Sequence, residues 1–287
     1  MEIADIAIIG SGPAGISAAI NAQTRHKSFY LFGSSALSDK VQRSELISNY
    51  PALPDISGAE LNTLLREHLK KVQITVTEKR ITGIFKIKNR FVLLADREKF
   101  EARSVILATG TETAKPVKGE REFLGRGVSY CATCDGNLYK GKNIAVVCDN
   151  APMEEEAVYL SALAAKIYYL PLFKDGSFSA DNAETLTSPI TEISGDSRVS
   201  GIRLKNGEEL AVDGVFFLKQ SVSPAVLLNG LETDGGHVTV NREMETSVKG
   251  CFAAGDCTGL PYQITKAMGE GNIAAHSAFK YLSDIVL

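Results

Sequence analysis

The chain lacks several features that would direct a reading elsewhere. No stretch approaches the ~18 consecutive apolar residues of a membrane-spanning helix, and the sequence is 44% hydrophobic overall; no membrane association is expected. Basic residues form no arginine-rich tract and the net charge is −3, which argues against nucleic acid as a partner. Cysteines are few and odd in number, five, without the spacing of a secreted disulfide framework. A cytoplasmic setting is the expectation, and there a Cys-x-x-Cys is more often redox or metal chemistry than a structural staple. The start, "MEIADIAIIG", has no basic region and no cleavage site, so no signal peptide is expected. Short-period repeats and low-complexity tracts are absent. One further absence is local. "VVCDNAPMEEEA", residues 146–157, joins an apolar strand to a helical pattern as a dinucleotide-binding βα turn does, yet it holds no glycine.

What is present fits an α/β enzyme. A length of 287 residues is enough for two domains. In "IADIAIIGSGPAGISAAINAQ", Gly10, Gly12 and Gly15 stand between a β-branched run and an Ala/Ile-periodic helix. That is the context a Gly-x-Gly-x-x-Gly needs to be a phosphate site. Gly10 serves the tight turn, Gly12 the approach of a pyrophosphate, and Gly15 close helix–strand packing, with the helix start facing the anion. The bland alternative is a glycine turn without ligand. The following strand, "SFYLFGS", carries no acidic residue for a ribose. "SGAELNTLLREHLKK" reads as a helix with a basic end, "ITVTEKRITGIFKIKNRFVLLAD" as strands turning at Lys88–Asn89, and "RSVILATG" as a buried strand. After "VSYCATCDGNLYKGKNIAVV" come the second βα unit and short strands with a turn at Asn206–Gly207. "GCFAAGDCTG" and a long helical pattern from about Pro261 to Ser283 end the chain. The fold class expected is α/β with two doubly wound, Rossmann-like domains of the FAD/NAD(P)-binding type, the second inserted into the first. The first comprises residues 1–113 and 246–287, the second residues 114–245.

Cys131 and Cys134 are read as a redox pair. A zinc half-site is the alternative, but zinc wants two more ligands; Cys148, Cys251 and Cys257 form no second Cys-x-x-Cys, and the four histidines lie elsewhere. No metal site is assigned. The three remaining cysteines are read as small buried hydrophobes, and Glu154–Glu156 as a solvated first helical turn.

"GSGPAG", "ATG", "CATCDG" and "GCFAAGDCTG", in this order and spacing, resemble the low-molecular-weight thioredoxin reductases over nearly the whole chain. The resemblance implies bound FAD, a redox disulfide and a homodimer. It places Gly10, Gly12, Pro13, Ala14 and Gly15 at the FAD pyrophosphate, Lys40, Asn49, Thr109 and Gly110 along the cofactor, Gly255 and Asp256 at its ribityl and phosphate, and Gln263 and Ile264 at the start of the last helix. Two departures are Ser38-Asp39-Lys40-Val41 where the family has Gly-Gly-Gln-Leu, and Tyr262-Gln263 where it has Arg-Gln. It also implies that Cys134 faces the flavin, that Cys131 attacks the disulfide of thioredoxin, and that Asp135 protonates the leaving thiolate.

The family binds NADPH at its second turn. Here the three small positions are Cys148, Asn150 and Met153, Pro152 removes a backbone donor, and Asp149 adds negative charge. The next strand ends Pro171-Leu172-Phe173 instead of the cations that hold a 2′-phosphate. No NADPH use is therefore expected, and the pattern resembles the ferredoxin-dependent flavin thioredoxin reductases, a branch independent of pyridine nucleotides. Ferredoxin near −400 mV and thioredoxin near −270 mV leave roughly 130 mV, about 6 kcal/mol for two electrons. A reduced deazaflavin donor, or a non-catalytic redox-sensing flavoprotein, are the competing readings. Two basic clusters are candidate docks for an acidic ferredoxin: Lys79, Arg80, Lys86, Lys88 and Arg90, which is favoured, and Lys115, Lys118, Arg121, Arg126, Lys140 and Lys142.

Overall fold

The structure is a computed structural model that describes residues 3–95, 98–110, 117–120, 122–130, 132–174, 176–218 and 224–286, with Cys134 and Val286 described by their backbone. The chain divides into two compact units, Met1–Glu112 with Ser223–Leu287, and Thr113–Val222.

The first leg of unit 1 opens with β1 (Ala4–Ile9), almost entirely buried, and passes through the glycine turn into α1 (Pro13–Thr24). Pro13 takes the first helical position, where an N–H would have no intrahelical partner. Then follow β2 (Phe29–Phe32), α2 (Asp39–Gln42) and α3 (Gly58–Lys71). A capping box starts α3: Ser57 Oγ accepts from Glu60 N, while the Glu60 carboxylate accepts from Ser57 N. His68, Lys70 and Lys71 sit at its far end, where the helix dipole favours cations. β3 (Val76–Thr77), β4 (Gly83–Ile87), β5 (Arg90–Ala95) and β6 (Glu98–Leu107) complete this leg. The expected turn at Lys88–Asn89 joins β4 to β5, with Lys88 in the left-handed region at φ 55°.

Unit 2 contains β7 (Val128–Ser129), α4 (Ala132–Asp135), β8 (Asn143–Cys148), α5 (Glu154–Ser161) and β9 (Lys166–Pro171). These are followed by β10 (Ala183–Thr185), β11 (Ile190–Gly195), β12 (Val199–Leu204), β13 (Glu209–Ala211) and β14 (Gly214–Leu218). Its parallel sheet runs β10-β9-β8-β14-β7, and β11–β13 form a separate antiparallel sheet. β14 is apolar throughout after Gly214, as befits a strand buried on both faces.

The chain returns to unit 1 with α6 (Pro224–Leu227), β15 (Thr233–Asp234), β16 (His237–Val238), β17 (Cys251–Ala253) and α7 (Ile264–Val286). The large sheet has the order β3-β2-β1-β6-β5-β4, with β17 also pairing β6. β6 is long enough to serve both parts: residues 98–102 pair antiparallel with β5, and residues 102–107 pair parallel with β1. The return lies at residue 223, ahead of the Thr246 expected from the sequence. Leu228 bridges Ile84 of β4, and Met244 enters the core beneath α1 and α7. This stretch has no helical or alternating pattern, so its contacts rather than its periodicity assign it to unit 1.

Candidate functional site

At the first turn, each glycine has a distinct steric duty. A Cβ on Gly10, which lies at φ 119°, would sit 2.1 Å from Ala108 O; one on Gly15 would sit 1.8 Å from Gly10 O. Gly12 is different, because a Cβ there would meet nothing within 4 Å. Gly12 is also the N-cap of α1, and no side chain caps that helix. The helix start therefore faces open space with its first donors uncapped, which fits the pyrophosphate of a dinucleotide. Ala14 packs beneath: Gly255 and Gly271 come so close that a Cβ on either would lie 3.0 Å from Ala14 Cβ or 2.1 Å from Ala14 O, respectively.

The other residues assigned to the cofactor fall into two contact groups. Lys40 Nζ lies 2.5 Å from Asp256 Oδ2 and 4.7 Å from the centre of the Tyr262 ring. Asn49 Nδ2 donates to Gln263 Oε1 at 2.6 Å, one residue before Ile264 opens α7. The departures at Lys40 and Tyr262 thus meet each other, and Lys40 also pairs with Asp256. Thr109 and Gly110 follow β6; the Thr109 hydroxyl is buried with no partner in hydrogen-bond geometry, and the Cys257 thiol is its neighbour. Gly110, at φ 73°, has open space around it.

Sequence reasoning overlooked the clamp behind Gly255. Lys266 Nζ donates to Gly255 O at 2.8 Å and Gly259 O at 2.7 Å, and Glu270 Oε2 accepts from Gly255 N at 2.8 Å. The two side chains pair with each other at 3.1 Å. Their i,i+4 spacing on one helix was the available signal. Sequence reasoning also overlooked Glu78, one residue beyond β3, which accepts from Ser35 N and Oγ at 3.0 and 2.7 Å. Those two bonds from Ser35 lower the Glu78 carboxyl. Local sequence could not reveal it, since 43 residues separate the partners.

The second turn is built in the opposite sense. Asn150 caps its own short 3₁₀ turn, residues 151–153, with Oδ1 accepting from Met153 N at 3.3 Å. The Cys148 thiol is buried and donates to Asn150 O at 3.3 Å; burial pushes it up to about 11. Glu154 corrects the sequence reading. Of the Glu154–Glu156 run only Glu155 is exposed; Glu154 is just 7% exposed. Its carboxylate accepts from Tyr169 Oη at 2.8 Å, Ser177 N and Oγ at 3.0 and 2.8 Å, and Phe178 N at 3.1 Å. Desolvation would raise this carboxyl, but the bonds from Phe178, Ser177 and Tyr169 outweigh it and lower it. Met153, Phe173 and Phe178 pack onto the unit 2 core.

Cys131 and the Cys134 side chain lie outside the described residues. Their surroundings are defined: Ser129 Oγ donates to Asp135 Oδ2 at 2.6 Å, and Ala132 N at the start of α4 donates to Glu156 Oε2 at 3.2 Å. Cys251 and Cys257 are fully buried, and desolvation pushes their thiols up to about 12 and about 11. Among the described residues, no group of three His, Cys, Asp or Glu is placed to hold a metal ion, and no helix is long and apolar enough to cross a membrane.

Of the favoured basic cluster, Lys79 pairs with Glu98 at 2.6 Å and Arg90 with Glu101 at 3.1 Å. Lys86 donates to Lys249 O at 2.6 Å. Lys88 is exposed at the β4–β5 turn, next to the exposed Phe85 and Ile87. In the second cluster, Lys115 and Arg121 lie outside the described residues, and Lys118 pairs with Glu192 at 2.6 Å.

Comparison with known proteins follows the same lines. The pyridine nucleotide-disulphide oxidoreductase family model matches residues 4–166 and 184–271. The thioredoxin reductase of Bacillus subtilis (strain 168) is 33% identical over 304 residues, spanning 99% of this chain and 96% of that one. A ferredoxin-flavin thioredoxin reductase from Clostridium acetobutylicum has a similar structure, with a TM-score of 0.91 and 46% identity over 100% of this chain and 99% of that one. A thioredoxin reductase from Gloeobacter violaceus gives 0.79 at 27% identity, over 98% and 95%.

Proposed function

Because this chain belongs to the pyridine nucleotide-disulphide oxidoreductase family, and within it to the thioredoxin reductases, we propose that it reduces thioredoxin with electrons from reduced ferredoxin, through FAD and a Cys131–Cys134 disulfide, without NADPH. The flavoprotein oxidoreductase class comes with the family; donor, cofactor identity and residue roles are the proposal. The observation that carries it is the contrast between an open first turn at Gly12 and a filled second turn at Asn150, Met153 and Glu154. The 46% identity to a ferredoxin-flavin thioredoxin reductase supports the same donor.

Gly10, Gly12, Pro13, Ala14 and Gly15 would hold the pyrophosphate against the start of α1. Asn49, Thr109, Gly110 and Gly255 would line the remainder, with Gln263 and Ile264 at the start of α7. Lys40 would keep Asp256 oriented. When bound, a flavin accepts electrons singly and passes them on as a pair, which reconciles a one-electron donor with a two-electron disulfide. Two electrons and two protons convert the Cys131–Cys134 disulfide to two thiols. The Cys131 thiolate attacks one sulfur of the thioredoxin disulfide, forming a mixed disulfide and releasing the other as a thiolate, which takes a proton from Asp135. The Cys134 thiolate then attacks Cys131, re-forms the internal disulfide and releases reduced thioredoxin. Ser129 fixes Asp135 for that transfer. A homodimer and a cytoplasmic setting belong to the same proposal, and sedimentation velocity tests the first.

The deciding experiment is anaerobic reduction of the bound flavin, followed by its absorbance, with NADPH, NADH, reduced ferredoxin and reduced deazaflavin in turn. Rapid bleaching by ferredoxin alone is the expected outcome. Bleaching by micromolar NADPH overturns the proposal, and bleaching by deazaflavin but not ferredoxin reassigns the donor.

A further inference from the structure

In a doubly wound unit, a dinucleotide sits beyond the carboxyl ends of the strands, with its phosphates at the start of the crossover helix. In unit 2 that place lies at the ends of β8 and β9 and the first turn of α5. Glu154 occupies this first turn, yet its side chain is buried. Its partners come from β9 (Tyr169) and from the segment after β9 (Ser177 and Phe178), 15 to 24 residues away. All four donors are those an anion would satisfy: two backbone N–H groups, a serine hydroxyl and a phenol. The phenol ring lies tilted against Phe178 with ring centres 4.6 Å apart, and Gly176 runs so close that a Cβ there would lie 3.0 Å from Glu154 Oε1.

We infer that Glu154 is the specificity-determining residue that shuts the second cleft against pyridine dinucleotides: its carboxylate stands in for the nucleotide's anion and draws residues 177–178 against the first turn of α5. Loss of glycine alone leaves a poor site. A fixed carboxylate is a stronger barrier, because an entering diphosphate would meet a like charge and find the Tyr169, Ser177 and Phe178 donors already engaged. Asp149 adds a second negative charge at the end of β8, and the nearby Cys148 and Tyr169 are both held neutral by burial. The inference rests on the proposal that unit 2 no longer takes NADPH, and it names the residue that enforces this.

The test is NADP⁺ binding to the holoprotein by titration calorimetry in three forms: wild type, Cys148→Gly/Asn150→Gly/Met153→Ala, and that triple variant with Glu154→Val. The triple variant is expected to bind no better than wild type, and adding Glu154→Val to improve affinity by about tenfold or more. Equal affinity with and without Glu154, including binding by neither, overturns the inference. Tight binding by wild type overturns instead the reading of unit 2 as out of use, whatever the variants do. If circular dichroism shows the quadruple variant unfolded, Glu154→Gln carries the test through hydrogen exchange. The segment spanning 177–178 should then exchange about tenfold faster while β8 is unchanged, and unchanged exchange at 177–178 overturns the inference.

Discussion

The turn after β1 and the turn after β8 begin from the same local plan, a buried parallel strand leading into a helix, and end with opposite properties. At the first, Gly12 leaves space in front of an uncapped helix, and the neighbouring glycines are irreplaceable because backbone lies within 2.1 Å of any added Cβ. At the second, Asn150 caps a short 3₁₀ turn ahead of α5, Pro152 deletes a donor, and Glu154 engages donors from β9 and residues 177–178. A βα unit is thus separable into scaffold and ligand site. The scaffold depends on β-branched and apolar residues in the strand, which unit 2 keeps in Asn143–Cys148. The site depends on what is absent from the turn. The scaffold by itself is a rigid support for Ser129, α4 and Asp135.

The largest effect should come from separating what the two units do. Cys134→Ser is expected to bring thioredoxin reduction to background while flavin absorbance per protein stays at the wild-type value. Cys131→Ser should do the same and leave a thiolate beside the flavin, with a long-wavelength absorption band. Wild-type turnover in either variant would remove the redox assignment. Gly15→Ala comes next. Its Cβ would be driven to 1.8 Å from Gly10 O, so strain of several kcal/mol is expected, on the order of 1–3 for overpacking and more where backbone is struck. Flavin loss on gel filtration is the readout, and Cys148→Gly in the second turn should cause none.

Glu154→Gln should destabilise unit 2 by about 1–3 kcal/mol, the cost of leaving a buried donor unsatisfied, as read from urea unfolding at neutral pH. Its folded-state carboxyl is lowered, so its stabilising effect exists above the unfolded carboxyl range and is lost as pH falls through the folded value. The gap between wild type and Glu154→Gln should therefore narrow in acid; a gap that widens contradicts the lowered carboxyl. The smallest effect is expected at the β4–β5 edge. Lys86→Glu/Lys88→Glu should slow ferredoxin-driven flavin reduction a few-fold at low salt and converge with wild type at high salt, as the Debye length falls from ~10 Å at 0.1 M to ~3 Å at 1 M. Lys79 and Arg90 already have carboxylate partners, which is why the reversal targets Lys86 and Lys88. Matching rates at low salt would place the dock elsewhere.

Much of this was legible from the sequence because its determinants are local. "GSGPAG" between a strand and an Ala-rich helix fixes β1, the turn and α1, and Ser57 with Glu60 fixes the start of α3. The absence of glycine from the second turn could also be read, since Cys148, Asn150 and Met153 fall within six residues of one another. What could not be read is how the polar groups around that turn are engaged. Glu154 looked like one of three solvated carboxylates because its donors lie across a whole crossover, in β9 and beyond. The same holds for Glu78, which reaches Ser35 only through the pairing of β2 with β3. Residues 224–245 join unit 1 through scattered contacts at Leu228 and Met244 that no periodicity announces.

Burial of Cys148, Cys251 and Cys257 has a practical corollary for reading the state of this molecule by mass spectrometry. With thiols pushed up to about 11, 12 and 11, these three are ionised at pH 8 to only about one part in 10³ or less, and they are shielded from reagent as well. A brief pulse of iodoacetamide under native conditions should leave them unmodified. Under the proposed Cys131–Cys134 pairing, each mass increment of one carbamidomethyl group then reports on those two alone: none when the bond is intact, and up to two when it is open. The chain carries its own internal blank, so the fraction reduced can be counted directly from the intact mass without digestion.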